Sequence, residues 1–474
     1  MRFRFMMCLV VLLPAVASAQ TADSSSSHQR FVGTWSGVLN AGAVPLRLNL
    51  VVRDSSGTLA GTMISVDQGN AEIPAVVATH GDSLTFALPT QHISYAGVLT
   101  PSGDTLRGTF TQGASFPLTF TRGAAATAPK PATRPQDPKP PFPYRSSDVT
   151  IPSVPGVELS CTLLTPAGAG PFPAVVFVTG SGPQDRDEAL MGHRPFLVIA
   201  DYLARHRIAS LRCDDRGTAK STGSFTEATS ADFAADAEAG VKYLKTVSDV
   251  AHDHIGILGH SEGGLIGPLV ASRTRDVAFL VLMAGPGVPG DSVLLAQSQQ
   301  MARLSGANEG QLAMSMSINH RLFAAVIGAR DSADAVARLA AAKEDILKTV
   351  PDAARPTVAQ TIDHAVPVLT SPWMRFFLRY DPRPTLRAVH VPVLAIDGSL
   401  DVQVLAKENL AAIDTALTAG GNRDHREVEL PGLNHLMQPA KTGLPSEYAT
   451  IDETISPTAL ELIATWINQR FAAR

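Results

Sequence analysis

Apolar and polar residues alternate through the first quarter of the chain, and then the rhythm changes. In VPLRLNLVVRDSSGTLAGTMI, Val44 to Ile64, every second position is apolar until Asp54-Ser55-Ser56-Gly57 interrupts. THGDSLTFAL and TPSGDTLRGTFTQ repeat the scheme of strand, Gly/Asp/Ser turn and strand. A period of two places alternate side chains on one buried face. Residues 31–122 are therefore expected to form an all-β domain of roughly eight antiparallel strands, closed as a small barrel or sandwich. Trp35 and Phe86 read as core residues of that domain, not as ligand platforms.

From Arg145 onward the apolar positions come in unbroken runs: Ala174–Val178, Ile208–Arg212, Ile255–Leu258, Phe279–Met283 and Val391–Ile396. Such runs suit strands buried on both faces. Between them, RPFLVIADYLARH and SADFAADAEAGVKYLKTV carry helical periodicity. The alternation predicts an α/β domain over 145–474, a mostly parallel sheet with helices on both faces. The interval from Met283 to Val391 far exceeds a crossover helix and keeps helical periodicity, as in SADAVARLAAAKEDILKTV. A helical cap inserted at about 291–381 is expected.

Two segments belong to neither pattern. Between Gly123 and Tyr144, AAATAPKPATRPQDPKPPFPY has no apolar periodicity and reads as an extended linker over 123–144. At the start, Arg2 and Arg4 precede an apolar run from Met6 to Val16, followed by Ala17-Ser18-Ala19. This is the pattern of a signal peptide over 1–19, cleaved before Gln20. The run is too short to span a bilayer. The expectation is an exported protein, periplasmic or extracellular, without stable membrane insertion.

The composition, 45% hydrophobic and 17% charged over 474 residues, suits a globular protein with a large core. A formal net charge of −4 argues against nucleic acid as a partner. After removal of Cys8 two cysteines remain, Cys161 and Cys213, both in strand-like stretches. They are expected as buried free thiols in preference to a bridge. No C-x-x-C or H-E-x-x-H occurs, so no metal or organic cofactor is expected.

The candidate chemistry starts in ILGHSEGGLI, Ile257 to Ile266. Ser261 stands in a G-x-S-x-G frame, after an apolar strand and before an apolar helix. A serine on that corner is exposed at the sheet edge, and the glycines relieve crowding. A hydroxyl needs a base to become a nucleophile. His435 in LPGLNH follows the last strand and is the candidate, whereas His425 precedes that strand. The orienting acid is sought in VPVLAIDGSLDVQV. Asp401, after the glycine turn, is preferred; Asp397, at the strand end, is expected to satisfy turn N–H groups. For the oxyanion, the N–H groups of Glu262 and Ser181 are the candidates, with Gly182 second, in TGSGPQDRDE after an early strand. The glycines there fail G-x-G-x-x-G, because position 185 is Asp. The charged run CDDRGTAKSTG and its neighbours Asp185, Arg186 and Asp187 read as an ion-pair network holding loops.

Together, TGSGPQDRDE, GHRPFLVIADYL, LRCDDRGTAKSTG, GHSEGGLIGPLVA and GSLDVQV with LPGLNH resemble the EstD-type serine esterases of the α/β-hydrolase superfamily. The resemblance runs from about Phe172 to His435, and the GTWSG opening of the β-rich domain is similar too. It implies an α/β-hydrolase fold and hydrolysis of short- to medium-chain carboxylic esters through an acyl-enzyme. It also implies Ser261, Asp401 and His435 as triad, with a small-molecule ester as partner. Members of that family often carry a second glycine where this chain has Thr218-Ala219 after Arg216-Gly217. Two other readings remain: a serine aminopeptidase or acyl-peptide hydrolase with the same triad, and a non-catalytic protein whose β domain holds a glycan or lipid. Oligomeric state is left open.

Overall fold

The computed structural model describes residues 28–471 except 40–45, 56–57, 67–70, 89–92, 113 and 124–133. The signal segment expected at 1–19 lies outside the described residues. The chain forms two compact units, and the second includes Lys343–Ala365 together with the β-rich region.

That region is a closed antiparallel barrel of eight consecutive strands: β1 (Gly33–Leu39), β2 (Leu46–Ser55), β3 (Thr58–Ser65), β4 (Ala71–His80), β5 (Ser83–Leu88), β6 (Ile93–Leu99), β7 (Thr105–Gln112) and β8 (Ala114–Arg122). Closure comes from β1 pairing with β8, Trp35 opposite Arg122 and Gly37 opposite Phe120. The barrel is filled by its inward alternate residues, among them Trp35, Leu50, Leu84, Phe86, Tyr95 and Phe120, all buried. Gly97 and Gly108 leave room for the Tyr95 ring, which a Cβ at either position would strike. Trp35 and Phe86 are core residues, as expected.

The other unit is built on an eight-stranded sheet. Its strands are β9 (Tyr144–Pro152), β10 (Glu158–Pro166), β11 (Phe172–Val178), β12 (Ala209–Cys213), β13 (Val250–His260), β14 (Phe279–Met283), β15 (Val393–Gly398) and β16 (His425–Leu430). The spatial order is β16-β15-β14-β13-β11-β12-β10-β9. From β12 through β16 neighbouring strands run parallel, and β9 and β10 add an antiparallel edge. β12 lies on one side of β11 and β13 on the other. This reversal opens a crevice at the C-terminal ends of β11 and β13, where open α/β sheets place their sites.

Helices cover the sheet. α1 (Pro195–Arg205) and α11 (Pro457–Phe471) share a core cluster with it, through Phe196, Ile199, Leu203, Ile463 and Trp466. α2 (Ser230–Leu244) and α3 (Glu262–Ala271) pack on each other and on β11 and β13. Between β14 and β15 comes the inserted helical region: α4 (Gly290–Leu304), α5 (Glu309–Ile327), α6 (Ser332–Thr349), α7 (Arg355–Leu369), α8 (Pro372–Arg379) and α9 (Pro382–Arg387). α10 (Ala406–Ala419) joins β15 to β16. Among the described residues no helix is long and apolar enough to cross a membrane.

Two expectations are corrected. Cys161 and Cys213 are not free thiols: they form a disulfide. The reason is register, since the antiparallel pairing of β10 with β12 sets the two cysteines directly opposite each other. The second correction concerns the proline-rich stretch. Residues 124–133 lie outside the described residues, but Arg134 and Gln136 are hydrogen-bonded to the 449–455 segment, so this end of the stretch is anchored.

Candidate active site

Strand β13 delivers Ser261 to the crevice, and α3 starts at the next residue. Ser261 has φ 52° and ψ −116°, a conformation that costs a side-chain-bearing residue about 1–3 kcal/mol. The corner holds because its neighbours are glycines. A Cβ on Gly259 would collide with the Gly263 carbonyl, and one on Gly263 with the Val178 carbonyl. The Ser261 N–H donates to the Met283 carbonyl at 2.8 Å, locking the corner to the end of β14.

Asp401 and His435 reach the same end of the sheet from the loops after β15 and β16. His435 Nδ1 lies 2.6 Å from Asp401 Oδ2, and both side chains are buried. A carboxylate can only accept, so Nδ1 carries the proton and Nε2 is left to accept one. The other oxygen, Asp401 Oδ1, accepts the N–H groups of Gln403 (2.7 Å) and Val404 (2.9 Å). Gly398 makes the meeting possible: a Cβ there would strike the Leu433 carbonyl, which belongs to the chain leading to His435. The Ser261 hydroxyl is not hydrogen-bonded to His435 among the described residues; the two are tied through His260, whose Nε2 donates to the His435 carbonyl at 3.0 Å.

Asp397 behaves differently from Asp401. Its Oδ1 accepts the Gly398 N–H at 2.7 Å, the turn role expected for it. Its Oδ2 is buried and has no donor. Burial, then the neighbouring charge of Asp401 and a hydrogen bond shared with it, hold the Asp397 carboxyl well above the usual range.

Of the two oxyanion candidates, Glu262 directly follows the serine, and Ser181 follows a glycine that packs against it. Glu262 is the first residue of α3, and a helix's first N–H groups have no acceptor within the helix. Gly180 packs against the serine: a Cβ on it would be 3.2 Å from Ser261 Cβ. The Gly180 N–H donates to Glu188 Oε1 at 2.7 Å, and Ser181 and Gly182 follow.

Several site residues were missed by sequence reasoning. Glu188 holds both Gly180 and His260, the latter at 2.9 Å through Nδ1. Burial disfavours charge on His260, but the Glu188 carboxylate outweighs it and the imidazole pKa is raised. The Glu262 side chain is buried, not solvated; its Oε1 accepts from Ser230 Oγ (2.6 Å) and from the Trp373 indole of α8 (2.7 Å). Burial pushes its carboxyl up to about 7. Asp215 accepts from Thr179 Oγ1 and Gln184 N–H, and burial raises its pKa well above the ordinary value. The ion-pair network is present: Arg186 bonds Asp214, Arg212 bonds Asp187 and Arg216 bonds Asp236. Ala219 takes φ 46°, a left-handed conformation that favours glycine. Among the described residues, Asp414, His425 and Glu427 bring ligating atoms within 4.8 Å of one another. His425 and Glu427 sit at the N-terminal end of β16, the far end of that strand from His435, and Asp414 is on α10.

A strained serine at a strand–helix corner, beside a histidine–carboxylate pair on adjacent loops of a parallel sheet, defines a serine hydrolase of the α/β-hydrolase fold. The model of the X-Pro dipeptidyl-peptidase (S15) family matches residues 155–425, more than half of the chain, and the chain belongs to that family. Esterase EstD of Thermotoga maritima is 33% identical over 165 residues, 35% of this chain; the match spans 38% of the length of that esterase. Among solved structures, an esterase of Pyrococcus furiosus superposes with a TM-score of 0.40 at 14% identity, over 70% of this chain and 95% of that one. Est1E from Butyrivibrio proteoclasticus, solved with ferulic acid, gives 0.38 at 17% identity, over 68% and 96%.

Proposed function

We propose that the protein is a serine carboxylesterase acting on short- to medium-chain carboxylic esters through an acyl-enzyme. The observation that carries this reading is the His435–Asp401 pair, 2.6 Å apart, on the loops beside the strained Ser261 corner. Ser261 attacks the ester carbonyl while His435 Nε2 takes its proton. Asp401 holds the imidazole tautomer and stabilises the imidazolium. The N–H groups of Glu262 and Ser181 stabilise the oxyanion. His435 then protonates the leaving alcohol, and water, activated by the same imidazole, releases the acid. Ser261→Ala should abolish covalent labelling by a fluorophosphonate probe while the variant stays folded; labelling at the wild-type rate refutes the assignment.

The family match favours a second reading, hydrolysis of peptide bonds by the same triad. The likeness to an esterase supports the first. The two separate on substrate pairs: a p-nitrophenyl acyl ester against an aminoacyl p-nitroanilide. Turnover of the anilide with kcat/KM above that of the ester selects the peptidase. Export is part of the proposal, supported by the Cys161–Cys213 disulfide, which persists in oxidising compartments. The mature protein should then begin within a residue or two of Gln20, and a soluble form beginning at Met1 in the native host contradicts it.

A further inference from the structure

The turn that carries His435 is closed by its own side chains. Asn434 Oδ1 accepts the N–H groups of Leu436 (2.9 Å) and Gln438 (3.0 Å), and Asn434 Nδ2 donates to Gln438 Oε1 at 3.0 Å. These bonds fix the orientation of both amides and leave the Gln438 side chain packed against His193, 3.0 Å from its Nε2, as a contact and not a hydrogen bond. Asn434, Gln438 and His193 are all fully buried.

His193 is held from the other side. Its Nε2 lies 2.8 Å from the Tyr448 carbonyl, which can only accept, so this nitrogen carries a proton. Its Nδ1 accepts from the buried Thr454 hydroxyl at 3.0 Å. Burial lowers its pKa, which suits a neutral ring in this role. Both anchors belong to the segment from Tyr448 to Ser456, and Ser456 N–H donates to the Met437 carbonyl at 2.8 Å, a second tie to the same turn.

That segment is clamped by the anchored end of the proline-rich stretch. Arg134 Nη1 donates to the Ile451 carbonyl (2.7 Å), and Nη2 to the carbonyls of Met191 (2.9 Å) and Ala449 (3.3 Å). Gln136 Nε2 donates to the Ile455 carbonyl at 2.6 Å, and its Oε1 accepts from Thr454 N–H at 2.6 Å and Ile455 N–H at 3.0 Å. Asp137 pairs with Arg194, the neighbour of His193, at 2.8 Å. Hydrogen bonds therefore run from Arg134 and Gln136 to the 448–456 segment, and the Ser456 N–H carries them on to the turn holding the proposed general base, with His193 packed between segment and turn.

We propose that Arg134–Asp137 and His193 form a strap that sets the position of the His435 turn, with His193 as a positioning residue and the catalytic module beginning at Arg134. The inference rests on the reading of His435 as general base. A base must be held close to its productive geometry by neighbours that are themselves locked, and small displacements cost rate more than binding.

The test uses the full chain and a short-chain p-nitrophenyl ester. His193→Ala should lower kcat by about tenfold or more with KM within about threefold. His193→Gln, which keeps a donor for the Tyr448 carbonyl, should recover most of that loss. Arg134→Gln, at the half-buried end of the strap, should lower kcat by about threefold or more and is decisive if His193→Ala does not fold. Wild-type kcat in folded His193→Ala or Arg134→Gln, a loss carried by KM alone, or no recovery with glutamine overturns the strap. Fluorophosphonate labelling of Ser261→Ala is run alongside. If it persists, the triad reading fails; if it is lost while the strap variants keep full kcat, the strap alone fails.

Discussion

Replacing Asp401 with asparagine separates the two aspartates of the glycine turn, and the structure dictates which way the new amide must face. Asp401 Oδ1 accepts two backbone N–H groups, from Gln403 at 2.7 Å and Val404 at 2.9 Å. An asparagine NH₂ in that place would confront two donors. The amide oxygen must therefore take the Oδ1 position, and the NH₂ is forced to the Oδ2 position, 2.6 Å from His435 Nδ1. An N–H aimed at Nδ1 favours the imidazole tautomer with its proton on Nε2, where it cannot accept from Ser261. In an unrelated serine protease the same change lowers kcat by roughly 10⁴, about 5 kcal/mol of transition-state stabilisation. Asp401→Asn should thus cost at least two orders of magnitude in kcat at neutral pH, with KM little changed. Asp397→Asn is the control. Burial and the neighbouring Asp401 already disfavour charge on Asp397, and an amide oxygen can still accept the Gly398 N–H. That variant should keep kcat within about threefold, with a stability change of about 1 kcal/mol. The assay is kcat on one short-chain ester for both variants, with thermal melts showing that each is folded. Near-wild-type kcat in Asp401→Asn, with Asp397→Asn inactive, would refute the reasoning and move the acid to the other side of the turn.

Glu262 gives a stability prediction with a definite sign. Its folded form holds a proton up to about 7, whereas an unfolded glutamate releases it near 4.5, so folding stability falls as pH rises between those values and levels off above 7. Glu262→Gln keeps an oxygen for Ser230 and Trp373 and removes the titration. It should match wild type near pH 4 and exceed it by up to about 3 kcal/mol at pH 8; a gap that does not grow with pH in denaturant titrations counts against the buried-acid account. Replacing Cys161 and Cys213 together with serine opens a loop of sequence separation 52 and should lower unfolding free energy by up to about 4 kcal/mol by loop entropy alone. Unchanged melting in reducing and non-reducing buffer would contradict the bridge.

Much of the fold was legible because burial repeats along the chain. Strands β11, β13, β14 and β15 are buried over most of their length, which writes them as continuous apolar runs. The barrel strands expose one face to the core, and their alternation records it. The edge strand β9 left no such trace: over YRSSDVTIP only Ile151 is buried, so neither period shows. Register was equally hidden. Nothing near Cys161 or Cys213 announces that β10 pairs with β12 in antiparallel fashion, and without that pairing two strand cysteines look like ordinary core thiols.

The candidate site divides along the same line. Ser261, Asp401 and His435 could be nominated because each stands at a strand end, where chain order limits the choices. Their supports could not be nominated so, because a buried polar side chain is bought by partners distant in sequence. Glu188 meets His260 across 72 positions, Trp373 meets Glu262 across 111, and Gln438 meets His193 across 245. A lone glutamate after the serine looks solvated until a helix from the cap covers it. Yet a weaker signal was present. LNHLMQ and GHRP crowd polar groups between apolar elements, in loops too short to keep them all in water. Polar residues packed so densely at the ends of buried strands must find partners inside, since each unpaired one costs about 1–3 kcal/mol. Such density at a sheet edge therefore points to a hydrogen-bonded scaffold beneath the chemistry, even where the sequence alone does not say which group bonds to which.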